Sequence, residues 1–106
     1  MSRRTTAIAA ALSVLALGSP LITAYANPLA DKYFNHGFKK YLVGNYQGAI
    51  ADYTKAIEIN PQYADAYFNR GVARELVNDI EGACRDWRKA ADFGLTEPAE
   101  WVKKQC

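Results

Sequence analysis

Two stretches of this chain, 34 residues apart, are nearly the same: Tyr33-Phe34-Asn35-His36-Gly37 and Tyr67-Phe68-Asn69-Arg70-Gly71. The match extends on both sides of them. At the same offset Ala30-Asp31 falls on Ala64-Asp65, Ala49 on Ala83, Tyr53 on Trp87 and Ala56 on Ala90. A period of this length is the mark of a supersecondary unit that is built more than once and stacked on its copy. It constrains the fold more than composition does.

Each unit reads as two helices. Apolar residues recur at helical spacing over Ala30–Val43 and stop at Gly44-Asn45; they resume over Tyr46–Ile59 and stop at Asn60-Pro61. In the second unit Ala64–Val77 stops at Asn78-Asp79 and Ile80–Phe93 stops at Gly94. Asn45 and Asp79 stand where a helix N-cap is wanted, and Pro61 and Gly94 follow helix ends. No useful length alternates with period two, so the expected fold class is all-α. Gly37 and Ala49, repeated as Gly71 and Ala83, let paired helix backbones approach, and Tyr33, Tyr53, Tyr67 and Trp87 fill the space around the contact.

In length and in this order of small and aromatic positions the chain resembles the tetratricopeptide repeat (TPR) family. The residues that carry the resemblance are Tyr33, Gly37, Ala49, Tyr53, Ala56 and Pro61, then Tyr67, Gly71, Ala83, Trp87 and Ala90. His36 and Arg70 depart from the usual leucine before the glycine, Lys40 and Arg74 from the usual aromatic after it, and Leu95 from the second proline. The resemblance implies a right-handed α-solenoid fragment with repeat 1 at 30–63, repeat 2 at 64–97 and a capping helix at 97–106. Trp101 lies one further step of 34 beyond Tyr67. Thr96 is expected to cap that last helix, Pro98 falls in its permissive first turn, and Lys103 and Lys104 suit its C-terminal end.

Residues 1–26 have another character. Arg3 and Arg4 precede an apolar run over Ala7–Leu17, a Gly18-Ser19-Pro20 break and Ala24-Tyr25-Ala26. This reads as a signal peptide cleaved after Ala26, with retention as a membrane anchor as the competing reading. Two of the 13 basic residues, Arg3 and Arg4, lie in that leader, and Asp31 is the first of the 11 acidic ones. The remaining chain is thus balanced, 11 charges against 11. A nucleic-acid binder shows a basic surplus, so that class is set aside.

Two cysteines in a chain bound for an oxidising compartment raise the possibility of a disulfide. On the family resemblance Cys84, at the place of Ile50 in the first unit, looks toward the terminal helix, where Cys106 comes level with it across the turn at Gly94-Leu95. A bridge over such a loop is worth roughly 3 kcal/mol. The other reading leaves Cys84 an ordinary buried small residue and Cys106 an exposed thiol. The tail from Cys84 to Cys106 resembles that of short exported repeat proteins of cyanobacteria, which implies a periplasmic or secreted protein, or one of a thylakoid lumen.

Catalytic residues are wanting. No serine follows Ser19, and the one histidine, His36, is replaced by Arg70 in the second copy, which marks a helix-surface position. Glu75, Asp79, Glu81 and Asp86 read as solvated helix surface and caps. Two cysteines and a distant histidine do not make a zinc ligand set, and no glycine-rich phosphate loop follows a strand. The expectation is a non-enzyme with no cofactor and no metal. The resemblance implies instead a concave groove lined by the first helix of each pair: Phe34, Asn35, Phe38 and Tyr41, then Asp65, Phe68, Asn69, Val72 and Glu75. Some family members grip a C-terminal carboxylate, but Phe34 and Phe38 stand where that clamp wants a lysine and an asparagine. The expected partner is an unknown protein or peptide held in the groove by an adaptor. The alternative is a self-assembling homo-oligomer that covers the same aromatic face.

Overall fold

Three helix ends in this protein are built the same way, each around one residue in the left-handed region. The computed structural model describes residues 27–106; the expected leader lies outside the described residues. Gly44 (φ 81°), Asn78 (φ 69°) and Gly94 (φ 109°) each reverse the chain after a helix. At the first, the Gly44 and Asn45 amides donate to the Tyr41 and Lys40 carbonyls at 3.0 and 2.9 Å. The Asn78 and Asp79 amides repeat this on Glu75 and Arg74, and those of Gly94 and Leu95 on Ala91 and Ala90. Each pair satisfies carbonyls that the helix leaves open.

The residue after the turn then caps the next helix. Asn45 Oδ1 accepts from the Gly48 amide and Asp79 Oδ1 from the Gly82 amide, each at 3.0 Å. The helices so bounded are α1 (Pro28–Leu42), α2 (Tyr46–Ile59), α3 (Ala64–Leu76), α4 (Ile80–Asp92) and α5 (Glu97–Gln105). No strand occurs among the described residues. α1 begins before Ala30 because Asn27 Oδ1 accepts from the Leu29 and Ala30 amides and Pro28 takes the first helical position, where a missing N–H costs nothing. One expectation needs correction. Thr96 makes no side-chain cap hydrogen bond; its backbone is already helical, and Pro98 in the first turn is buried instead.

α1 packs on α2 and α3 on α4, while α2 meets α3 and α4 meets α5, so the hairpins stack in chain order. The glycines set the approach. A Cβ on Gly37 would stand 2.9 Å from Tyr53 Cε1 and 3.3 Å from the Ala49 carbonyl; one on Gly71 would stand 2.5 Å from Trp87 Nε1 and 3.2 Å from the Ala83 carbonyl. Tyr53 and Trp87 are fully buried, together with Ala49, Ala56, Ala83 and Ala90.

The departures from the family pattern form a second, polar seam. Lys40 pairs with Asp52 at 2.9 Å. One repeat later, Arg70 holds Asp86 through two hydrogen bonds of 2.8 and 2.7 Å, Arg74 adds a third of 2.8 Å, and Arg70 also reaches Thr54 Oγ1 of α2 at 3.2 Å. Asp86 is therefore not solvated surface, as its spacing predicts, but a buried acceptor for two arginines. Bidentate guanidinium–carboxylate geometry makes it the strongest polar tie between helices here. His36 and Glu81 are exposed, as read from the sequence, and Glu75 is half-buried.

Cys84 and Cys106 are bridged, with their Cα atoms 6.0 Å apart. The bridge ties the end of α5 to α4. Phe68, Trp101 and Val102 pack around the buried Ala83, Cys84 and Trp87.

Candidate functional site

The inner face is laid out by helical spacing. On α1, Phe34, Phe38 and Leu42 recur every four residues, and Phe68, Val72 and Leu76 repeat them on α3, so each set forms one stripe. Most of these side chains are not fully covered: Phe38 is 43 % exposed, Leu42 64 % and Leu76 48 %. Between the stripes lies a cavity of about 390 Å³ lined by Phe38, Tyr41, Tyr53, Phe68, Asn69, Val72, Glu97 and Trp101. That volume is within the range of small-ligand and side-chain pockets.

The lining is aromatic. Phe38 and Tyr41 stack with centroids 6.2 Å apart, and Tyr41 meets Tyr46 at 5.8 Å. Opposite them Trp101 stands edge-on to Phe68 at 5.7 Å and to Trp87 at 5.2 Å. The Asn69 amide donates to the Tyr53 hydroxyl across 3.5 Å. Burial pushes the Tyr53 phenol up to about 12, against the smaller opposing effect of that hydrogen bond. Its hydroxyl therefore stays protonated at the cavity floor.

The residues that the sequence assigns to the groove divide into groups. Phe38, Tyr41, Phe68, Asn69 and Val72 come together around this cavity. Phe34 is instead stacked on Tyr63 at 5.1 Å and lies 5.6 Å from Tyr53, so it packs α1 against α2 and against the residue that leads into α3. Asn35 sits with Pro28, Asp31, Lys32, His36 and Lys39 on a separate shallow surface. Asp65 lines an adjoining hollow with Phe68 and Glu97, and Glu75 stands further along α3. Phe68 has two roles, since it lines the cavity and packs on the core beside Trp101.

Three lining residues escape sequence reasoning: Tyr53, Glu97 and Trp101. Trp101 is in register with Tyr67, which marks it as a packing residue. Its part in the wall depends on how α5 lies across α3 and α4, which register alone does not give. No group of His, Cys, Asp and Glu among the described residues could hold a metal ion, and no helix there is long and apolar enough to cross a membrane.

No curated protein matches the chain significantly. The family model described as TPR repeat matches residues 40–76, a span that takes in the end of α1, the whole of α2 and the whole of α3. Joined to helix hairpins that repeat at 34 residues around the same small and aromatic contacts, that match over 40–76 supports a tetratricopeptide-repeat protein.

Proposed function

We propose that this protein is an exported adaptor that holds a segment of another protein in the cavity between α1, α3 and α5. Repeats of this family serve as protein–protein interaction modules and are generally non-catalytic. Stacked repeats create concave surfaces suited to extended segments. The observation that carries the reading is the cavity itself, an aromatic hollow beside half-exposed Phe38 and Leu42. Large apolar side chains seated in such hollows supply most of the binding energy at interfaces. Export is supported by the leader-like residues 1–26 and by the Cys84–Cys106 bridge, which suits an oxidising compartment.

The test is affinity capture from an extract of exported proteins, with the parent chain beside a Phe38→Ala, Val72→Ala version of equal helicity. Phe34 and Phe68 are unsuitable positions, because both also pack helices together. A protein retained by the parent and lost by the variant supports the adaptor reading. Equal retention by both contradicts it. Capture of its own copies alone assigns the face to self-assembly.

A further inference from the structure

The groove has a charge as well as a shape. Asp52, Glu58, Asp79, Glu81, Asp86 and Glu100 each pair with a lysine or arginine. The other acidic residues are Asp31, Asp65, Glu75, Asp92 and Glu97, and all but Asp92 lie on α1, α3 and α5, the helices that form the inner face. None of these four has an ion-pair partner among the described residues.

Their positions join the aromatic cavity. Phe68 and Glu97 line both that cavity and a neighbouring hollow of about 280 Å³ that includes Asp65. Asp65 and Asp31 then share a third hollow, where Asp31 accepts the Tyr63 hydroxyl at 2.6 Å. No lysine or arginine lines the cavity or the two hollows. An apolar cavity therefore opens onto Glu97 and Asp65, two carboxylates without an ion pair, although residues 27–106 as a whole carry as many basic as acidic side chains.

We infer that the occupant of this groove is a polypeptide segment of a partner protein in which a large apolar side chain is flanked by lysine or arginine. The inference rests on the groove being a binding site. The apolar side chain fills the space between Phe38, Val72 and Trp101, and its basic neighbours lie along Glu97 and Asp65. Charge arranged in this way raises the encounter rate and excludes wrong partners, because an acidic segment would meet like charges.

The test is selection of short random peptides, displayed on phage, on the immobilised full chain at about 50 mM salt, with affinities then measured from about 50 to about 300 mM. Selected peptides are compared on the parent, on Phe38→Ala and on Asp65→Asn, Glu97→Gln; all three substituted positions are exposed. The expected peptides combine a large apolar residue with lysine or arginine, and weaken at high salt. They bind each variant about fivefold or more weakly than the parent. Peptides that need Phe38 but carry no basic excess, and that ignore the loss of Asp65 and Glu97, overturn the inference and leave the groove standing as a binding site. Peptides indifferent to Phe38, or no enrichment at all, overturn the groove reading and the inference with it. Self-association of the parent that Phe38→Ala abolishes makes a second copy the occupant and also overturns the inference.

Discussion

In the first hairpin Lys40 meets Asp52 as a single ion pair, with the lysine side chain 44 % exposed. At the same positions of the second hairpin Arg74 meets Asp86, Arg70 joins it where the first has His36, and the Asp86 side chain is only 3 % exposed. The second hairpin also has Trp87 for Tyr53, and α5 is bridged onto it through Cys106. The first shows Phe38 to solvent where the second has the half-buried Val72, while Leu42 and its counterpart Leu76 are both exposed. One unit, built twice, is thus fastened on one side and left available on the other. The cavity lies between the two, with Phe68 and Trp101 of the fastened side facing Phe38 and Tyr41 of the other.

Removing the two equivalent carboxylates is the most forceful way to break this comparison. Asp86→Ala strands two largely buried guanidinium groups and is expected to cost about 4 kcal/mol. Asp52→Ala is expected to cost less than about 1 kcal/mol, because Lys40 can turn to water. Urea-unfolding midpoints of the two variants decide it; equal losses would mean that the hairpins are fastened alike. Reduction of Cys84–Cys106 comes next, at about 3 kcal/mol. Hydrogen exchange should then show α5 amides exposed while α1 and α2 stay as protected as before. Loss of protection spread evenly over all five helices would join the two regions into one cooperative unit.

Alkali should act through three wholly or partly buried phenols, two of them in the first repeat. Tyr53 keeps its proton in the folded chain up to about pH 12 against 10.0 when unfolded, and burial also raises Tyr63 and Tyr67. A raised folded value favours folding fully below pH 10 and loses that contribution as pH rises toward 12. Stability is therefore expected to fall across that window, and less steeply in Tyr53→Phe, as followed by helicity against pH. Trp87, at the equivalent place, has nothing to titrate. The smallest effects belong to the turns. Gly44→Ala has open space for its Cβ but keeps φ at 81°, and is expected to cost about 1 kcal/mol. Asn78→Gly relieves the same conformation and should stabilise by about 0.5 kcal/mol. Thermal midpoints that move in the opposite sense would contradict the turn geometry.

What could be read in advance follows from which residues act locally. Gly44, Asn45, Asn78, Asp79 and Gly94 set turns through their own dihedrals and caps, so the hairpins were legible, and so were the contacts of Gly37 with Tyr53 and Gly71 with Trp87. The Cys84–Cys106 pairing could be expected because both residues lie near one turn. The sequence does not reveal the burial of Asp86, because a carboxylate on a helix looks solvated until the arginines across from it are placed. A hint is present: Lys40 with Asp52 and Arg74 with Asp86 keep opposite signs at the 34-residue offset, and Lys40 and Arg74 depart from the family pattern. The groove was legible as a face but not as a cavity. Phe34 and Phe68 carry the same spacing whether they face a partner or the next repeat, and Tyr53, Glu97 and Trp101 join the wall only through tertiary packing.

The most direct test of the groove is site-specific photo-crosslinking in cells that produce the protein. A photoreactive phenylalanine analogue is placed at Phe38 or Val72, inside the cavity, and at His36 or Arg85, exposed and outside it. The groove reading predicts an adduct with another protein from the first two positions and none from the second two. Adducts from His36 or Arg85 as strong as those from Phe38, or adducts made only with further copies of this chain, would contradict it.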